Sequence, residues 1–308
     1  MAVISQVTRH PLTWYRVTRT FGRIGLYAWV AVMVVIAFAP LWWMIRTAFS
    51  PNADIYTPVL QLVPPGWPPR AWPPYLDLSQ FACAFGFSTD INCHHFTFGV
   101  NILNSTIVSL ATTVITVISS TLAAYSLSRL RYPGRATLAR SVLFVYLIPE
   151  TLLFIPLFEI MSSIRLLNTY WVLIVSYLSF SMPFCTWMLI GYLKGVPIEI
   201  EEAALIDGCN RVQALYRVIL PMAAPGVVAA ALFTFTGAWN EFLYALIFIT
   251  DGRLLTMPVA LSGLVRGDLR LYGPMMSGSL VYFIPVMILY FFGQRFLVGG
   301  LAAGAVKA

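Results

Sequence analysis

The chain has 308 residues, of which 59% are hydrophobic and 10% charged, with a mean hydropathy of +0.80 and a formal net charge of +7. This balance lies outside soluble globular usage and places the chain in lipid. No dense basic tract with interleaved aromatics is present, which excludes a nucleic-acid partner. The polar segments are too short to hold a soluble catalytic domain.

Apolar runs of about 20 residues cross a bilayer, and the sequence holds six, at 25–49, 100–127, 138–162, 168–190, 224–249 and 273–298. The expected fold class is therefore an all-α polytopic membrane protein with six transmembrane helices. The first run follows Arg9, Arg16, Arg19 and Arg23 and lacks a small-residue cleavage site, so it reads as a retained span rather than a signal peptide. An even span count puts both termini on one face. With that face cytoplasmic, the inner segments carry thirteen of the nineteen Lys and Arg residues, among them Arg129, Arg131, Arg135, Arg140, Lys194, Arg211 and Arg217, as the positive-inside rule requires. The chain then divides into a cytoplasmic N-terminal arm at 1–24, the first span with an external loop at 25–98, a five-span core at 99–298 with an inner loop at 195–221, and a cytoplasmic tail at 299–308.

Between the first two spans, eight prolines from Pro51 to Pro74 favour extended backbone and predict a surface cap or spacer outside the membrane. Cys83 and Cys93 share this loop and are a candidate disulfide, with the reduced pair as the alternative. Cys93, His94 and His95 lack the ligand spacing of a zinc site, so no metal is expected. Cys185 and Cys209, in the fourth span and the inner loop, read as small packing residues. Pro149, Pro156, Pro183 and Pro285 fall inside spans, where they can kink helices around a cavity.

The segment 199–221, EIEEAALIDGCNRVQALYRVILP, is polar and helical in pattern, yet it lies between spans. Pro197 suits a helix start, and Glu199, Glu201 and Glu202 suit the positive end of its dipole. The first helix should run to about Asp207, with Gly208 providing a left-handed turn. Ala203 and Ala204 present almost no side chain, so that face can approach a partner closely, with Ile198, Leu205 and Ile206 supplying apolar contact. Asn210 and Gln213 form a capping-box pattern for a second helix that Pro221 should stop.

Glu202, Ala203, Ala204, then Gly208, then Leu220 and Pro221 resemble the EAA loop of ABC importer permeases, with Val218 where that pattern prefers Ile. The resemblance extends over roughly 99–308. AYSLSRLRYPGR at 124–135, GAWNEF at 237–242 and QRFLVGGLAAGAVK at 294–307 are similar to the carbohydrate-uptake group, and the tail to its second, MalG-like permease. The resemblance implies a coupling helix between spans 4 and 5 that docks on a separate ATP-binding subunit dimer, with Glu202, Ala203, Ala204, Asp207, Gly208, Leu220 and Pro221 as the coupling residues. It further implies a second, MalF-like permease chain and an extracytoplasmic sugar-binding protein as partners, besides membrane lipid, in a bacterial or archaeal cell membrane. This chain itself lacks the phosphate-cradling G-x-x-x-x-G-K-[ST] pattern. No cofactor is expected on it; ATP and Mg belong to the partner.

Glu150 and Glu241 are acids at membrane depth, where carboxylates face a bundle interior or an aqueous cavity. With Trp239 and Asn240 they are the candidate substrate pathway, since carboxylates and amides bond hydroxyls and an indole stacks on a pyranose face. An interhelical bond is the alternative role. The same two acids would be the ion site of a secondary transporter, which is the alternative function. An intramembrane enzyme would need a nucleophile and base or a metal pair, and no His lies in a span.

Overall fold

The computed structural model describes residues 12–50, 55, 77–88, 96–265 and 271–305, with side chains described for these except 12–21 and 297–305. Cys93, His94, His95 and most of the proline-rich loop lie outside the described residues. All regular structure among the described residues is helical.

The helices in chain order are α1 (Leu12–Ala48), α2 (Ser79–Ala84), α3 (Phe98–Arg129), α4 (Arg135–Tyr146), α5 (Glu150–Ser163), α6 (Tyr170–Gly195), α7 (Ile198–Ile206), α8 (Arg211–Met222), α9 (Ala224–Asn240), α10 (Leu243–Phe248), α11 (Met257–Ser262) and α12 (Tyr272–Ala305). Four are long and apolar enough to cross a membrane: the Gly22–Ala48 part of α1, α3, α6, and the Tyr272–Phe296 part of α12. Two bent pairs bring the candidate count among the described residues to at most six.

Two of the six expected spans are interrupted. The third span divides into α4 and α5, inclined at 95° to each other. Pro149 stands at the break with φ −58° and ψ 123°. A proline cannot donate into the preceding turn, so α4 ends and α5 starts afresh at Glu150. The fifth span stops at Asn240, passes through extended backbone at Glu241 and resumes as α10. Pro156, Pro183 and Pro285 lie within helices that continue past them.

α3 packs most extensively on α6 and next on α9, and α12 joins α9 to α1. The Gly22–Ala48 segment of α1 buries none of its most apolar window. Large apolar side chains such as Val35 and Phe291 are exposed along α1 and α12, as expected where lipid is the solvent. Small residues allow close helix crossings. At Gly226 of α9 a Cβ would collide with the ring of Tyr192 on α6.

Away from the Arg-rich end, polar side chains fasten loops to the bundle. Asn101 and Asn104 each donate to Leu255 O at 2.9 Å, and Ser105 Oγ accepts from Met257 N at 2.9 Å. Asn168, at φ 57°, accepts from Thr250 N at 2.6 Å and Asp251 N at 3.0 Å, tying the α5–α6 turn to the end of α10. Asp251 in turn accepts from the backbone N–H and guanidinium of Arg253, which hold its carboxyl below the usual carboxylate range.

Candidate functional site

The loop between α6 and α9 folds as two helices at the Arg-rich end of the bundle. α7 begins after Pro197 and carries Glu199 and Glu201 in its first turn. It closes with a Schellman motif: Cys209 N donates to Ala204 O at 3.0 Å and Gly208 N to Leu205 O at 3.2 Å. Gly208 has φ +90°, a conformation that costs other L-residues about 1–2 kcal/mol. The expected capping box is present: Asn210 Oδ1 accepts from Gln213 N at 2.8 Å, and Gln213 Oε1 from Asn210 N at 2.9 Å.

Pro221 does not stop the second helix. α8 widens into a π turn over Leu215–Ile219 and runs through Pro221 to Met222. A proline ring crowds the carbonyl four residues before it, and the wide turn accommodates it. The chain then bends by 82° into α9, with Pro225 in the first turn.

Leu215 and Ile219 bury against Tyr125, Leu127, Leu189 and Leu193, the ends of α3 and α6. Other apolar side chains of the element are bare, for Ile206 is 86% and Val212 66% exposed. Glu202, Ala203, Asp207 and Gly208 are exposed with them. Ala204 departs from expectation: it is 7% exposed and packs on its own chain. Adjacent helix positions differ by about 100°, and here Ala203 is exposed while Ala204 turns into the bundle. Leu220 is partly buried against the same apolar cluster.

Sequence reading also missed Glu201. Its carboxylate is buried and accepts from Tyr125 OH at 2.6 Å, with Arg129 Nε and Arg211 Nη1 each 3.7 Å away. Arg129 Nη2 donates to the carbonyls of Leu193 and Val196 at the end of α6.

The four intramembrane candidates are not brought together at one surface. Trp239 is 1% exposed, stacked on Tyr282 at 4.5 Å and on Phe235 at 5.2 Å. Both partners are in its own chain, which leaves no free indole face for a pyranose. Asn240 is exposed, but its amide donates to Thr236 O of the same helix at 2.9 Å. Glu241 accepts from Tyr177 OH at 2.7 Å, Tyr244 N at 2.8 Å and Ala245 N at 3.2 Å. It closes the break in the fifth span by capping α10 and bonding α6, the interhelical role weighed as the alternative. Glu150 is exposed at the other break, beside a cavity of about 320 Å³ lined also by Tyr146, Ser179, Phe180 and Phe233. The two breaks touch, because Tyr244 OH donates to Glu150 O at 2.7 Å.

Cys83 is disulfide-bonded, while Cys185 and Cys209 are free. Cys185 packs in the bundle with its sulfur 3.0 Å from Thr234 Oγ1.

Residues 115–302 match the family described as the binding-protein-dependent transport system inner membrane component. The chain belongs to the ABC importer permease family. The permease is 35% identical over 289 residues to the inner membrane ABC transporter permease protein YcjP of Escherichia coli K12, covering 94% of this chain and 98% of that one. It is 38% identical over 206 residues to the trehalose/maltose transport system permease protein MalG of Thermococcus litoralis, covering 66% and 74%. Its fold matches a chain of a bacterial ABC transporter involved in import of the acidic polysaccharide alginate, with TM-score 0.72 at 20% identity over 91% of this chain and 97% of that one. The permease is thus a multi-pass inner-membrane component and is not itself catalytic. Its family depends on a binding protein and an ATPase. This assignment replaces the ion-coupled alternative.

Proposed function

We propose that the permease carries a sugar, a disaccharide or oligosaccharide, across the membrane by alternating access as one half of a heterodimeric pore of six-span chains. The second, MalF-like chain completes the pore, and the α7–α8 element faces the cytoplasm and docks on the ATPase. Glu202, Ala203, Asp207 and Gly208 form the docking tip, while Ala204 and Leu220 hold it on the bundle and Pro221 is exposed near the end of α8. Both termini share the cytoplasmic side, and Cys83 pairs with Cys93 outside.

The observation that carries this reading is the two-faced loop, apolar and buried toward the bundle at Leu215 and Ile219, apolar and bare outward at Ile206 and Val212. An exposed apolar patch outside the lipid zone calls for a protein partner. The sugar class is supported by the trehalose/maltose name of one relative and by the cavity at the helix breaks. Glu150 and Ser179 line it together with Tyr146, Phe180 and Phe233, residue types suited to bonding hydroxyls and covering a sugar face. Glu150 is the pathway contact in this reading. Glu241 and Trp239 shape the pathway from behind.

Cysteine at Ala203, paired with cysteines across the docking cleft of the co-expressed ATPase, tests the docking. A crosslink whose yield changes with ATP and vanadate is expected. Its absence from every position tested across 199–210, in an assembled complex, would overturn the reading.

A further inference from the structure

The α7–α8 element is joined to the bundle by backbone at two places, and both are bends. Val196, between α6 and α7, is extended at φ −81° and ψ 125°. Between α8 and α9 the chain turns by 82°. A bend free to open transmits a push poorly, so side chains must set the element's direction. The apolar cluster around Leu215 and Ile219 holds it in place, but hydrophobic contact is non-directional.

The directional contact is Glu201. This carboxylate is the meeting point of α3, through Tyr125 and Arg129, and of α8, through Arg211. Arg129 is buried with it, the two side chains 6% and 4% exposed, whereas Arg211 is 59% exposed. Arg129 reaches on to the last carbonyls of α6. One carboxylate therefore links the loop to two membrane helices, and a buried charge deprived of its partner is strongly unfavourable.

We infer that Glu201 is a positioning residue for coupling: by binding Tyr125 and Arg129 it makes α7 move as one body with the inner ends of α3 and α6. Force received at the bare Ile206 face thus enters the bundle through α3, a helix not adjacent to the loop in sequence. This inference rests on the docking reading above and adds the route by which the push is delivered.

The test uses the complete transporter in proteoliposomes. In Glu201→Gln the amide oxygen still accepts from Tyr125, but the charge facing Arg129 is gone. Sugar uptake per ATP hydrolysed should fall about tenfold or more while hydrolysis stays within about twofold, and Glu201→Asp should restore part of the ratio. A Gln variant with unchanged uptake per ATP overturns the inference.

A second measurement leaves Glu201 intact, so it stands even if that variant does not assemble. Leu130 and Leu205 line one cavity at this end of the molecule. With cysteines there and Cys209→Ser, a short reducible bis-thiosulfonate bridge joins α7 to the end of α3. The same protein is assayed before bridging, after it, and after reduction. Uptake that survives bridging supports one rigid body; uptake blocked by the bridge and recovered on reduction overturns it. Absence of ATP-dependent uptake before bridging would instead count against the docking reading.

Discussion

Gly208 shows how much one residue can fix. Its φ of +90° permits the two Schellman bonds that end α7 and turn the chain into the Asn210 cap. Nothing lies within 4 Å of the position a Cβ would take, so a substitution is opposed by backbone strain rather than by a clash. Gly208→Ala should cost about 1–2 kcal/mol locally, and Gly208→Val more because its side chain branches at Cβ. The expected outcome is loss of uptake in the Val variant with the protein still in the membrane, the Ala variant falling between. Wild-type uptake by Gly208→Val would show that the turn does not matter for coupling. Gly208 and the capping box were legible in the sequence because their partners lie within a few residues. Glu201 was read as a helix-dipole acid, since Tyr125, 76 positions away, is beyond any local pattern.

Among the elements, two apolar helices are broken, and the proposed substrate path runs by these breaks. Hydropathy reads 138–162 and 224–249 as ordinary spans because composition is blind to a missing turn. Pro149 signalled the first break. The second carries no proline, and what stabilises it is a carboxylate that replaces the lost helical bonds, accepting two backbone N–H groups and the hydroxyl of Tyr177. An irregular backbone at membrane depth survives when it is buried in protein or lines a cavity. Glu241→Leu removes every acceptor and should destabilise the permease by about 3 kcal/mol or more, since each orphaned buried donor costs about 1–3 kcal/mol. Glu241→Gln keeps one oxygen and should lose less. Thermal unfolding of the purified protein in detergent checks the order. A Leu variant as stable as wild type would mean that Glu241 does not hold the break, and would return it to the substrate contacts. Glu150→Gln should leave stability near wild type, because its carboxylate is exposed.

For the whole molecule, the basic residues predict an orientation that native cysteines can test. Cys209 is free and half-buried on the loop, Cys185 is free and buried in the bundle, and Cys83 is already oxidised. A membrane-impermeant maleimide should label Cys209 in inside-out vesicles and not in intact cells. Labelling from the outside would invert the topology and place the loop beyond reach of an ATPase.

The sequence by itself determined that the chain is a helical membrane protein, where its apolar segments lie, and that 199–221 folds as a capped helix pair with the family's coupling pattern. These properties rest on composition and on contacts within a turn or two of helix. Tertiary structure decided which face of that pair is bare, that Ala204 turns inward while Ala203 does not, that Trp239 is core, and that Glu201 and Glu241 are spent on neighbours in the bundle. A side chain's role at membrane depth depends on what stands opposite it, and those partners are brought close only when helices distant in the chain pack together.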